Sequence, residues 1–180
     1  HAESNKGFYA LTLNNHAALK EIKGEHFYAK DLLQQSIQVN ESTGMVDATY
    51  LATLENLSTL YIELGEYNQA EVVLQKSQKL IVDKFGKSSS VYAANILNFG
   101  RLEQSMGQYP KAEPHFKLAL ELMKANHGDT HPEYARALNE MALFFQILGN
   151  MAEAEPLLEK SRAIYEQTYG KTHPEYMTAI

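Results

Sequence analysis

The stretch Leu54-Glu55-Asn56-Leu57-Ser58-Thr59-Leu60-Tyr61, followed after Ile62-Glu63-Leu64 by Gly65-Glu66-Tyr67-Asn68-Gln69-Ala70-Glu71, decides how this 180-residue chain is read. Tyr50, Leu54, Leu57, Tyr61 and Leu64 fall at i, i+4, i+7, i+11 and i+14. That spacing draws one stripe along an α-helix. Beyond Gly65, the set Tyr67, Ala70, Val73, Leu74, Ser77 and Ile81 marks a second amphipathic helix. A glycine between them suits the reversal, because the residue that ends a helix often takes a positive φ. The stretch predicts a helical hairpin.

Working outward, the hairpin repeats. Of ten glycines, eight stand on one lattice: Gly24, Gly44, Gly65, Gly86, Gly107, Gly128, Gly149 and Gly170, with a first gap of 20 and then gaps of 21. Tyr9, Tyr50, Tyr92, Tyr134 and Tyr176 keep the same beat, as do Ala29, Ala70, Ala112 and Ala154. Three residue types in phase over four periods define a repeat of about 42 residues. Helix A of each period is predicted near 7–23, 47–64, 89–106 and 131–148, and helix B near 26–41, 67–84, 109–126 and 151–168. Thr130-His131-Pro132-Glu133 and Thr172-His173-Pro174-Glu175 place threonine three residues before glutamate. This predicts capping boxes with the proline in the first turn. A fifth helix A is expected to open at Thr172. The expected architecture is a single all-α domain over 1–180, with repeats at 5–45, 46–87, 88–129 and 130–171 and the start of another at 172–180. It reads as a fragment of a longer protein.

The motifs resemble the tetratricopeptide repeat, in the longer 42-residue form found in kinesin light chains. Gly65-Glu66-Tyr67-Asn68-Gln69-Ala70-Glu71, Gly107-Gln108-Tyr109-Pro110-Lys111-Ala112-Glu113-Pro114 and Gly149-Asn150-Met151-Ala152-Glu153-Ala154-Glu155-Pro156 carry that family's second-helix signature. The resemblance implies a right-handed α-solenoid of stacked antiparallel helix hairpins. Small residues are needed where helices A and B cross, and Ala17, Ser58, Gly100 and Ala142 stand there, opposite Ala29, Ala70, Ala112 and Ala154. Gly100 is thereby expected to face Ala112. His16, Lys20 and Lys23 in the first repeat imply a polar end cap.

Composition excludes several function classes. A formal net charge of −6 gives no basic footprint for nucleic acid. With no cysteine there is no thiolate nucleophile and no cysteine-ligated zinc. No apolar run approaches the roughly 18 residues of a membrane span, so no membrane insertion is expected, and the location is read as cytoplasmic. No phosphate loop, zinc-protease helix or nucleophile elbow is present. His127 and His131 flank Gly128 at a turn, and His131 returns as His173, so both are assigned to turn structure. No catalytic residue, metal ligand or cofactor is expected, and the chain is read as no enzyme.

The candidate site lies on helix A. Asn15, Asn56, Asn98 and then Glu140 share one lattice position, with Asn14 and Asn139 beside them. Asparagine forms helices poorly, so its recurrence asks for a reason. The family resemblance places this position on an inner, concave face, where carboxamides hold the backbone of an extended peptide through paired donor and acceptor. The alternative is hydrogen bonding between helices of the solenoid itself. One turn on, Thr59, Arg101 and Leu143 would set specificity, and Arg101 and Arg136 would capture acidic groups. The leading function is a scaffold that binds a protein or peptide partner. The alternatives are a regulatory repeat domain restraining an effector, such as a caspase-like peptidase or nucleotide-dependent switch, and a scaffold for self-association.

Overall fold

The structure, a computed structural model, describes residues 2–44 and 46–170, with side chains from Asn5 onward. The described residues form eight helices and no strand: α1 (Ala2–Ile22), α2 (His26–Thr43), α3 (Ala48–Glu63), α4 (Tyr67–Phe85), α5 (Ser90–Ser105), α6 (Tyr109–His127), α7 (Pro132–Ile147) and α8 (Met151–Tyr169). Odd-numbered helices are the A members of the hairpins and even-numbered ones the B members. The fifth helix expected at Thr172 lies outside the described residues.

The turns follow from backbone chemistry. All eight lattice glycines hold a positive φ, between 66° and 86°. At Gly65 the consequence is explicit. Its N–H donates to the Ile62 carbonyl at 3.1 Å, and the Glu66 N–H donates to the Tyr61 carbonyl at 2.8 Å. This pair of bonds satisfies the last carbonyls of α3 and turns the chain into α4. The A helices start on a second lattice. Asp47 accepts from the Tyr50 N–H, Ser89 from the Tyr92 N–H and His131 from the Glu133 N–H. The capping box expected from Thr130 is therefore displaced by one residue: the helix cap is the His131 imidazole. A further departure is α1, which begins at Ala2 instead of near residue 7. It spans 21 residues where α3, α5 and α7 span 16 each.

Two compact units divide the chain after Leu80. In the first, Ala10, Leu13 and Ala17 of α1, Ala29 and Leu33 of α2, and Leu54, Leu57 and Leu60 of α3 are buried. The Ser36 hydroxyl, on α2, donates to the Ala10 carbonyl at 2.9 Å and lies 3.2 Å from the Thr53 hydroxyl of α3. In the second unit, Phe116 of α6 and Phe144 of α7 pack with ring centroids 5.3 Å apart. Ser161 repeats the role of Ser36, donating to the Ala135 carbonyl at 2.8 Å. The small crossing residues Ala17, Ser58, Gly100 and Ala142 are all buried. At Gly100, however, the nearest atoms belong to the Phe116 ring and not to Ala112.

The first repeat is not the polar cap that His16, Lys20 and Lys23 imply. Phe8, Tyr9, Leu11, Leu19 and Ile22 are exposed along α1. Tyr9, the first of the lattice tyrosines, is thus at the surface while Tyr50, Tyr92 and Tyr134 are in the core.

Candidate functional site

In the first unit the lattice asparagines serve different ends. Asn15 is exposed and Asn56 is half-buried. The Asn56 Nδ2 donates to the Oδ1 of Asn14 at 3.0 Å, joining α3 to α1. Asn14 is itself buried, so the bond spans a contact from which water is largely removed. Thr59 is half-buried one turn further along α3. At the opposite end of these helices, burial raises the carboxyl of Glu21 above the ordinary carboxylate range, and repulsion from Glu63 adds to the shift while His26 opposes it. One oxygen of Glu21 is buried with no hydrogen-bond partner among the described residues.

A polar cluster links α2, α3 and α4 in the same unit. Lys76 pairs with Glu41, and the Tyr50 hydroxyl donates to Glu41 Oε1 at 3.1 Å. The hydrogen bond from Lys76 depresses the Glu41 carboxyl, while burial raises the Tyr50 phenol. Both ionic side chains are over two-fifths exposed, so the cluster orients the hairpins more than it stabilises them.

The second unit holds the charged part of the candidate site. Asn98 on α5 is 2% exposed, and Arg101 one turn on is half-buried. Arg101 Nε lies 3.7 Å from Glu140 Oε2 across the α5–α7 contact. That is close enough for ionic attraction yet longer than a hydrogen bond, so both groups keep unused donors and acceptors. The residue in phase with Asn14 is Leu97 here, which offers no amide, and Glu140 turns to Arg101 instead. Arg136 is committed locally, with Nε and Nη2 donating to Glu133 Oε2 at 3.2 and 2.9 Å. Asn139 is half-buried, and its Oδ1 is buried without a partner among the described residues. Arg136, Glu140, Leu143 and Ile147 follow i, i+4, i+7 and i+11, one stripe of α7. Its last two members are exposed apolar residues, at 41% and 52%.

The structure therefore brings Asn14 to Asn56 and Arg101 to Glu140, and leaves Asn15 at the surface. Sequence reading missed the Arg101–Glu140 pair. Its signal was present: the lattice change from Asn98 to Glu140 coincides with arginine one turn along α5. His127 and His131, assigned to separate faces, in fact stack with ring centroids 4.5 Å apart, one ending α6 and the other capping α7. No group of three or more metal-ligating side chains occurs among the described residues. No described helix is long and apolar enough to cross a membrane.

The tetratricopeptide repeat family matches the chain at residues 51–86, 92–143 and 134–180. This chain belongs to that family. No curated protein matches it in sequence. Among solved structures it is similar to BtubC (BKLC) from P. vanneervenii, at 18% identity and a TM-score of 0.69, over 90% of this chain and 65% of that one. It is likewise similar to a putative kinesin light chain from Podosopora anserina with nearly identical tetratricopeptide-like repeats. That structure is 21% identical with a TM-score of 0.69, and a single-substitution variant of it is 20% identical with a TM-score of 0.70; each match covers 93% of this chain and 80% of that one. The chain thus spans about two thirds of the length of BtubC. The likeness fixes an all-α solenoid fold of the kinesin-light-chain type. Such repeats are in general protein-interaction scaffolds, ordinarily without catalysis of their own.

Proposed function

We propose that the chain holds a segment of a protein partner on the exposed faces of its A helices, with the α5–α7 face of the second unit setting specificity. The observation that carries this is the Arg101–Glu140 pair at 3.7 Å, with Leu143 and Ile147 exposed further along the α7 stripe. Two unlike charges with spare hydrogen-bonding capacity read a polar or charged side chain. The neighbouring aliphatic pair reads an apolar one. Asn98 and Asn139 supply carboxamides beside them, suited to a ligand backbone. In the first unit, Asn56 spends one amide donor on Asn14 and keeps its carbonyl oxygen for a ligand.

The test is selection of binding peptides from a displayed random library, followed by titration calorimetry. Leu143→Ser with Ile147→Ser should weaken binding about tenfold or more while helicity stays unchanged, since both side chains are exposed. Failure to select any peptide, or affinity indifferent to these changes and to Arg101→Ala, refutes the assignment of this face.

A further inference from the structure

The repeat lattice supplies a ruler for the outer face of α1. Tyr9 is 53% exposed, whereas Tyr50, Tyr92 and Tyr134 in phase with it are 4%, 9% and 5% exposed. Leu19 is 57% exposed, and its equivalents Leu60, Leu102 and Phe144 are 1%, 2% and 0%. The same comparison sets exposed Thr12 against buried Thr53. On α3 this stripe is covered by the preceding hairpin: Thr53 meets the Ser36 hydroxyl, and the Tyr50 hydroxyl meets Glu41. On α1 it is a helix-stacking face with nothing on it among the described residues. Contiguous exposed apolar surface of this kind marks an interaction site.

Two observations select the occupant. First, α1 is continuous helix from Ala2. Each of the lattice glycines Gly44, Gly86 and Gly128 stands six residues before a lattice tyrosine, and the corresponding place before Tyr9 is Glu3, inside the helix. The turn that joins one hairpin to the next is therefore absent there, which disfavours a preceding hairpin in register. Second, the stripe is self-complementary. Phe8, Thr12, Asn15 and Leu19 fall at i, i+4, i+7 and i+11, apolar at both ends and polar in the middle. We propose that this stripe pairs with the same stripe of a second copy of the chain, antiparallel about a two-fold axis. That arrangement sets Phe8 on Leu19 of the other copy and Thr12 on its Asn15. Leu11 then meets His16 and Lys20 meets Gly7, so none of these pairs opposes like charges. An isologous contact of this sort closes on itself and gives a dimer.

Sedimentation of the chain from low to high micromolar concentration tests the proposal. A dimer of twice the chain mass is expected, and Leu19→Lys should weaken it about tenfold or more without loss of helicity. The chain has no cysteine, so register can be read directly. Phe8→Cys with Leu19→Cys should form an intermolecular disulfide in high yield on oxidation, while either change alone should not. A monomer at every concentration overturns the proposal, as does a dimer that survives Leu19→Lys or one dispersed by Ile147→Lys instead. It also fails if the longer natural polypeptide is monomeric with this stripe protected from solvent exchange.

Discussion

The ring of Phe116 stands 3.0 Å from the point where a Cβ would sit on Gly100. The two residues are 16 apart, an offset shared by Ala17 with Leu33, Ser58 with Leu74 and Ala142 with Leu158. Three crossings pair a one-carbon side chain, bare or hydroxylated, with leucine, and the fourth pairs no side chain with phenylalanine. The volume added on helix B is removed from helix A. Phe116 has no exposed surface and is held on its far side by Phe144, so it has little room to yield.

Gly100→Ala should accordingly destabilise the fold. Leaving glycine in a helix interior returns up to about 1 kcal/mol of propensity, against roughly 1–3 kcal/mol for overpacking a rigid aromatic. From the lattice alone, with Ala112 as the expected neighbour, the same change would be neutral or stabilising. Gly100→Leu should cost more. Phe116→Leu alone leaves a gap worth roughly 1–2 kcal/mol, and combining it with Gly100→Ala should recover much of both losses. Urea midpoints for the four members of the cycle measure the coupling, expected at about 1 kcal/mol or more. Additive losses would show that the two side chains do not share space.

Asn56→Ala should lower stability by about 1–3 kcal/mol, because it leaves the buried oxygen of Asn14 without its donor. Replacing both residues with leucine should cost less, since no orphaned group remains. A thermal scan of the single and double variants decides this. An unchanged melting temperature for Asn56→Ala would mean that the amide pair contributes nothing and that Asn56 is free for a ligand.

Glu21 gives a pH dependence of opposite sign to the usual carboxylate. Its folded-state pKa is raised, chiefly by burial. The stability it contributes is therefore complete below the unfolded-state value and is lost as pH rises through the folded-state value. Glu21→Gln should raise the melting temperature at neutral pH, by no more than about 1 kcal/mol given its partial exposure. The gain should vanish in acid, where the wild-type carboxyl is protonated. A gain that persists unchanged at low pH would trace the effect to packing.

The repeat made most of the fold legible. Glycines on a fixed beat locate every described turn, and the crossing alanines are buried as their spacing requires. Features that depend on a difference between repeats were less legible. The length of α1 and the exposure of Tyr9 and Leu19 reflect what lies beside the first hairpin, and periodicity carries no information about a neighbour's absence. Arg101–Glu140 joins two helices through side-chain reach rather than through register. His131 was legible in principle, since Asp47, Ser89 and His131 stand 42 residues apart. The threonine–glutamate spacing drew attention one residue too early.

That cap supplies the last prediction. The Nδ1 of His131 accepts the Glu133 N–H at 3.2 Å, whereas in phase with it the Asp47 carboxylate accepts the Tyr50 N–H at 2.8 Å. An imidazole is the weaker cap, because it has one acceptor nitrogen and no negative charge to set against the positive end of the helix. His131→Asp should therefore stabilise α7 by about 0.5–1 kcal/mol. The loss of His127 stacking offsets part of that gain. His131→Ala should cost about 1 kcal/mol, the ordinary loss for a removed cap. Thr130 is exposed and the cap of α7 is His131, so Thr130→Ala should stay within about 0.5 kcal/mol of the parent. Chemical denaturation of the three variants separates the two caps. If Thr130→Ala costs as much as His131→Ala, the helix begins at the threonine, and the 42-residue phase of the caps does not hold in the fourth repeat.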